Sequence, residues 1–301
     1  MNQWIDELRE RGVGEIQTEE ALAPHTTWKI GGPADVLVIP SGKEELAATL
    51  GILYRNGVPW TVLGRGSNVL VSDRGIRGAV IKLGDAFDYV RFEGERVIAG
   101  GAYSFIKLSV TAGKEGLTGL EFAGGIPGSV GGAVYMNAGA MTSDVSRILN
   151  SAEVVLENGE LAVWTREDFR FAYRHSALHA SRAIVTEAEF GLAYGDRREI
   201  AAAMAAYKDR RKRTQPLSAA CAGSVFRNPE GHHAAKLIEE AGLKGLRVGG
   251  AEVSTMHANF IVNTGNATAE DVLTLIKRIQ QTVEDRTGIR LVPEVLPVGE
   301  R

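Results

Sequence analysis

A mixed fold, α/β or α+β, built from more than one packed unit is what the sequence predicts, and three observations predict it. Strand-like and helical runs alternate between residues 35 and 72 in the order β-α-β. A hairpin signal stands at Asn158-Gly159, where both residues tolerate positive φ. The chain has 301 residues, long for one hydrophobic core and comfortable for two or three units.

Taken in order, Trp4, Ile5 and Leu8 share one face of a short amphipathic helix, so residues 1–20 are expected to be a helix and a linker. Asp35–Pro40 reads as a strand. Ser41 and Glu44 form a capping-box pattern ahead of Leu46, Leu50 and Leu53 at helical spacing. Gly57 and Pro59 end that helix, and Trp60–Leu63 and Val69–Ser72 follow as buried strands. A second unit is expected from about residue 84. Ser104 caps a helix through Ala112 that stops at Gly116, and strands Ala152–Glu157 and Leu161–Thr165 flank the hairpin signal. Ala183–Leu192 is a further strand, and Tyr194-Gly195-Asp196 marks a boundary before an Ala-rich helix at 199–213. Ala234–Ala241 is a short helix ended by Gly242. Thr268 caps a long helix carrying Val272, Leu275, Ile276, Ile279 and Val283, which stops at Gly288.

Composition excludes several function classes. Hydrophobic residues are 44% and charged residues 24%, an ordinary globular balance. A net charge of −3 gives no global field for nucleic acid or an anionic membrane, so an anionic ligand has to be held by local cations and backbone amides. The one cysteine, Cys221, permits no intramolecular disulfide and fits a reducing compartment. The first residues lack the apolar core of a signal peptide, and no apolar run approaches the ~20 residues that span a bilayer. A cytoplasmic protein with no obligate protein partner is expected. Cys221 and the six histidines show no metal-ligand spacing, so no metal is expected.

Glycine, at 36 residues, is clustered. Gly64-Arg65-Gly66-Ser67-Asn68 lies between two strand-like runs and would present successive backbone N–H groups to a pyrophosphate. By itself it reads as a tight turn. It does not match the dinucleotide fingerprint, because Val69-Leu70-Val71 continues as strand rather than opening a helix. The second cluster is Ala123-Gly124-Gly125-Ile126-Pro127-Gly128-Ser129-Val130-Gly131-Gly132, followed by Asn137-Ala138-Gly139-Ala140. A turn needs one or two glycines, so close approach of backbone to a flat or phosphate-bearing cofactor is the expected cause.

Together the clusters resemble the non-Rossmann flavin-binding domain of the vanillyl-alcohol oxidase or PCMH type. More narrowly, Trp28-Lys29-Ile30-Gly31-Gly32-Pro33-Ala34-Asp35, Gly64–Asn68 and Ile126–Gly139 resemble the UDP-N-acetylenolpyruvoylglucosamine reductase family. Tyr173-Arg174-His175-Ser176 matches its Y-R-x-S, and Gly223-Ser224-Val225-Phe226-Arg227-Asn228-Pro229 its G-S-x-F-x-N-P. Lys236–Gly242, His257–Asn263 and Pro293-Glu294-Val295 follow in the family's order, so the resemblance covers nearly the whole chain from about residue 25. Ala235 stands where the pattern has Gly, and Glu252 where it has Gln. The extra substrate-covering loop of the longer class finds no room, which points to the shorter, second class.

The resemblance implies an α+β fold: a two-lobed PCMH-type FAD domain at 30–196 (lobes about 30–83 and 84–196), after an N-terminal helix and linker at 1–29. A C-terminal α/β substrate domain follows at 197–301. It implies NADPH-dependent reduction of UDP-N-acetylglucosamine enolpyruvate to UDP-N-acetylmuramate through noncovalent FAD, since no His occupies the loop through which related oxidases tether flavin. The expected FAD contacts are Gly64, Arg65, Gly66, Ser67, Asn68, Gly125, Ile126, Pro127, Gly128, Gly131, Gly132, Asn137 and Gly139. Arg174, Ser224 and Glu294 are the expected catalytic residues: a guanidinium fork for the substrate carboxylate, a proton donor to carbon, and a protonated acid donating to the same carboxylate. These three, with Asn228, Lys236, Glu252, His257 and Asn259, are the expected substrate contacts, as are Arg211 and Lys212 from the charge run Asp209–Arg213, which is otherwise a solvated helix end. The alternative is another flavin oxidase of this fold, acting on alcohols or sugars.

Overall fold

A computed structural model describes residues 3–300. Along the chain come α1 (Gln3–Arg11), β1 (Gly14–Ala21), β2 (Pro33–Pro40), α2 (Lys43–Arg55), β3 (Trp60–Val62), β4 (Val69–Val71), β5 (Ile76–Ile81), β6 (Val90–Glu93) and β7 (Arg96–Gly100). Then follow α3 (Phe105–Glu115), β8 (Leu117–Thr118), α4 (Val130–Tyr135), β9 (Gly139–Ala140), β10 (Ser143–Asp144), β11 (Leu149–Val155), β12 (Leu161–Thr165) and α5 (Leu178–Ser181). The remainder is β13 (Ile184–Gly191), β14 (Ala193–Tyr194), α6 (Arg197–Thr214), α7 (Ala234–Glu240), β15 (Arg247–Val248), β16 (Ala251–Val253), β17 (Ile261–Asn263), α8 (Ala269–Thr287) and β18 (Leu296–Val298).

Helix ends follow their capping residues. The Ser104 side chain accepts from the Lys107 N–H, and Gly116 closes α3 in the left-handed conformation at φ 77°. Thr268 and Asp271 form a full capping box on α8, which ends at Gly288 with φ 71°. Two local expectations fail, and the expected hairpin forms with a wider turn. The linker after α1 is strand β1, whose Glu-rich sequence leaves no alternation to read. Helix α2 is capped by Gly42 without a side-chain bond, so the Ser41–Glu44 box does not form. In the β11–β12 hairpin only Gly159 has positive φ, at 90°. The Asn158 side chain instead accepts from the Glu160 N–H at 3.0 Å, within a loop wider than a two-residue turn.

Two compact units share the chain. The first takes the residues up to Thr18, Val36–Arg65 and Gly78–Asp209; the second takes Glu19–Asp35, Gly66–Arg77 and the residues from Arg210. In the first, an antiparallel sheet runs in the order β12-β11-β13-β7-β6. Val97, Phe105, Leu108, Val130, Val134 and Phe190 are buried together where α3 and α4 cover it. The apolar face of α2 (Leu46, Leu50, Leu53) packs with Trp60 and Ile81 of the parallel pair β3–β5.

In the second unit, α8 buries Val272, Leu275, Ile276, Ile279 and Val283 beside Phe226, Leu237 and Ile238. Strands β15-β16-β17 form an antiparallel sheet, and β18 pairs in parallel with β4. Trp28 explains why residues 19–35 join the C-terminal third: it is fully buried there, and its indole N–H donates to the Ile261 carbonyl at 2.8 Å. Asn263 returns a bond to the Trp28 carbonyl at 2.9 Å. No described helix is long and apolar enough to cross a membrane.

Candidate active site

Within the first unit Gly64, which opens the first glycine cluster, meets Ser129 of the second. A Cβ on Gly64 would lie 2.8 Å from the Ser129 Oγ, and one on Gly132 3.4 Å from the same oxygen. Ser129 is buried and caps α4 by accepting from the Gly132 N–H at 3.3 Å. Gly64 and Gly132 stay exposed beside it, leaving backbone without side chains there. Such a surface suits a flat ring system and a pyrophosphate that must approach main-chain N–H groups closely, so the residues present fit FAD. Ser129 was missed by motif reading, although a Ser immediately before an apolar helical run is an N-cap signal.

Other glycines serve the fold. Gly66 has φ 63°, and a Cβ there would strike the His25 carbonyl oxygen at 2.3 Å. Gly131 abuts the Gly101 carbonyl, to which its N–H donates at 2.9 Å. Gly139 faces Asp144 across the β9–β10 pair. Asn137, buried at φ 42°, spends its amide within the protein: it donates to the Ala172 carbonyl at 3.1 Å and accepts from the Ser146 N–H at 2.9 Å.

Those bonds build a mount for Arg174. Ala172 and His175 exchange both backbone bonds, so Tyr173 and Arg174 form the tip of a tight turn. Arg174 has φ 54°, a conformation that costs a residue bearing a Cβ about 1–2 kcal/mol. Its guanidinium lies 5.0 Å from the centre of the Tyr173 ring and donates to the Gly139 carbonyl at 2.7 Å. Ser176, fully buried, donates to the Tyr135 carbonyl at 2.7 Å. The turn that carries Arg174 is thus fastened to α4 and to the strand that follows it.

Within the second unit, Ser224 and Glu294 come together on neighbouring segments. The Glu294 N–H donates to the Val225 carbonyl at 2.7 Å, and Asn68 donates to the Glu294 carbonyl at 3.3 Å. Buried Asn259 clamps the Ser224 segment: its Oδ1 accepts from the Phe226 N–H at 2.9 Å and its Nδ2 donates to the Phe226 carbonyl at 2.8 Å. Asn259, expected as a substrate contact, therefore holds backbone through both ends of its amide. Asn228 satisfies the first N–H of α7, its Oδ1 accepting from Ala234 at 3.0 Å.

Of the cation run, Arg211 is half-buried whereas Arg210, Lys212 and Arg213 are exposed, so the run is more than a solvated helix end. Arg211 donates to Gln215 at 2.9 Å and faces Cys221, and burial pushes its pKa down. Burial raises the Cys221 thiol, against the opposing pull of the Gly223 N–H and Arg211. Burial, then the Lys244 charge, lowers the His257 pKa from its ordinary 6.5. Glu252, where the family's pattern has Gln, ion-pairs with Arg247 directly across the β15–β16 pair. Lys236 lies exposed on α7, its ammonium 3.7 Å from Glu240.

Comparison with known proteins agrees with this geometry. Residues 34–164 match a family described as FAD binding domain, and residues 215–298 match the UDP-N-acetylenolpyruvoylglucosamine reductase C-terminal domain. The UDP-N-acetylenolpyruvoylglucosamine reductase of Bacillus licheniformis is 52% identical over 302 residues, covering 100% of each chain. The crystal structure of the enzyme of that name from Thermus caldophilus superposes with a TM-score of 0.82 at 38% identity, over 94% of this chain and 98% of that one. A glucose dehydrogenase, Phl p 4.0202, shares the fold alone: TM-score 0.50 and 14% identity over 63% of this chain and 44% of that one.

Proposed function

Because this chain belongs to the UDP-N-acetylenolpyruvoylglucosamine reductase family, in its shorter class, we propose that Arg174, Ser224 and Glu294 divide the chemistry of its reaction among them. The protein is a UDP-N-acetylmuramate dehydrogenase, an FAD-dependent oxidoreductase of peptidoglycan precursor synthesis. The oxidase alternative is set aside, because likeness to the glucose dehydrogenase is one of fold while identity to the reductase runs the full length.

FAD, when bound, would supply hydride chemistry toward the terminal CH2 of the enolpyruvyl group, with NADPH as the source. As that bond forms, charge moves onto the conjugated carboxylate, and pre-aimed donors there lower the barrier. Arg174 offers two parallel N–H groups to a carboxylate. Glu294, kept protonated beside that developing charge, donates a third hydrogen bond. Ser224 gives its proton to the neighbouring carbon and regains one from solvent by relay, which completes reduction of the double bond. The observation that carries this reading is the Glu294 N–H bonded to Val225 at 2.7 Å, which sets the acid beside the serine segment.

NADPH as hydride source and noncovalent FAD complete the proposal. Gly64–Asn68, Gly125–Gly128 and Gly132 hold the cofactor mainly through backbone, and Arg211 with Lys212, Lys236, Glu252 and His257 faces the UDP-sugar. A flavin domain at 30–196 and a substrate domain at 197–301 accord with the two matched families, while in the compact units residues 30–35 and 66–77 group with the second and 197–209 with the first. Mixing protein, NADPH and the enolpyruvyl substrate tests it: NADPH absorbance should fall in step with UDP-N-acetylmuramate formed. NADPH loss that needs oxygen and leaves the substrate intact would overturn the reading. After acid precipitation the yellow colour should stay in the supernatant; colour in the pellet means a covalent link.

A further inference from the structure

We propose that the rings of Tyr135, His179 and His175 form a column that positions Arg174, making the two histidines positioning residues for the step in which the substrate carboxylate is held. This rests on the reading of Arg174 as the carboxylate's partner. The His179 ring stacks on Tyr135 with centroids 4.0 Å apart and 28° between planes. The His175 ring lies 4.5 Å from His179, tilted by 30°. His179 Nδ1 is 3.1 Å from the Ser176 carbonyl oxygen, so the backbone of the turn also orients the middle ring.

These contacts close a loop. Tyr135 is the last residue of α4, His175 follows Arg174 directly, and the Arg174 guanidinium returns to Gly139, four residues beyond Tyr135. A left-handed residue at a turn tip relaxes to other conformations unless its surroundings over-determine it. The backbone bonds between Ala172 and His175 fix the base of the turn, and Asn137 fixes its first carbonyl. Beyond the tip, the Ser176 hydroxyl ties the chain to the Tyr135 carbonyl at 2.7 Å. The ring column adds a side-chain support from the same α4 residue, on the His175 side of the tip. The His175 ring is exposed, so it adds little buried area and its worth lies in holding geometry.

Stopped-flow on the flavin-loaded enzyme tests this, with the two half-reactions read separately. In His179→Ala, reoxidation of the reduced protein by the enolpyruvyl substrate should slow by about 10-fold or more, because small misplacements of a positioning group are costly. Reduction by NADPH should stay near the wild-type rate, and His179→Phe, which keeps a stacking ring, should recover most of the loss. If His179→Ala does not fold, His175→Ala is read by the same criteria. Arg174→Ala serves as the reference. A normal substrate half-reaction in Arg174→Ala overturns the reading of Arg174 and the column with it. A crippled Arg174→Ala beside a normal His179→Ala overturns the column alone. Equal slowing of both half-reactions, or a Phe variant as slow as Ala, also overturns it, since the rings would then be serving general structure or something other than stacking.

Discussion

The Ser129 hydroxyl lies 2.8 Å from the point at which a side chain on Gly64 would begin. One serine thus closes the gap between two glycine clusters that stand 60-odd residues apart in sequence, and caps α4 while doing so. A methyl group at 64 has to displace that oxygen and loosen the cap.

Gly64→Ala should therefore weaken FAD binding, by about 1–3 kcal/mol if the strain is like that of an overpacked core. Ser129→Ala alone should cost a smaller amount through the lost cap, about 1 kcal/mol. The double variant should bind FAD better than the sum of the two losses allows, because the alanine at 129 vacates the space. Fluorescence titration of apoprotein with FAD measures all three. Strict additivity would show that the contact does not limit the site.

Ser224 separates the half-reactions. Flavin reduction by NADPH needs no protein acid, whereas protonation of the substrate carbon does. Ser224→Ala should bleach the flavin with NADPH at close to the normal rate and then reoxidise with the enolpyruvyl substrate ~10²–10⁴-fold more slowly. Ser224→Cys should recover part of the rate, a thiol being the stronger acid. Crippled flavin reduction in Ser224→Ala would instead make the serine structural.

Arg211 and Lys212 are neighbours with different surroundings, one half-buried and one exposed. Arg211→Met should raise KM for the UDP-linked substrate with kcat nearly unchanged, the mark of uniform binding, while Lys212→Met, at an exposed position, should raise it less. Steady-state kinetics decide it: equal effects at both positions mean that burial does not select the phosphate contact.

His257 makes stability depend on pH. Burial and the Lys244 charge hold its folded-state pKa below the ordinary 6.5. The unfolded chain takes up the proton first as pH falls, so the contribution is full above about 6.5 and is lost as pH drops through and below it. Thermal unfolding between pH 7.5 and 5 should show Tm of the wild type falling more steeply than that of His257→Gln, to about the extent one titrating group allows. Parallel Tm curves would mean that His257 is not the group responsible.

What the sequence by itself determined is what a few neighbouring residues can encode. Thr268 with Asp271 and Gly288 bounds α8, Ser104 and Gly116 bound α3, and apolar spacing marks their buried faces, because caps and periodicity act within one or two turns. The ordered motifs were sufficient to identify the family and the residues expected to act. Only the tertiary structure decided the rest. Strand β1 forms from a polar segment that carries no pattern of its own. Trp28 draws residues 19–35 to a partner more than two hundred positions away. Asn137 and Asn259, legible only as polar motif residues, turn out to brace the turn of Arg174 and the segment of Ser224. Arg211 is half-buried and its neighbour Lys212 exposed, a difference set by what folds over the helix end. Pairing and burial depend on which distant segments meet, and no spacing along the chain records that.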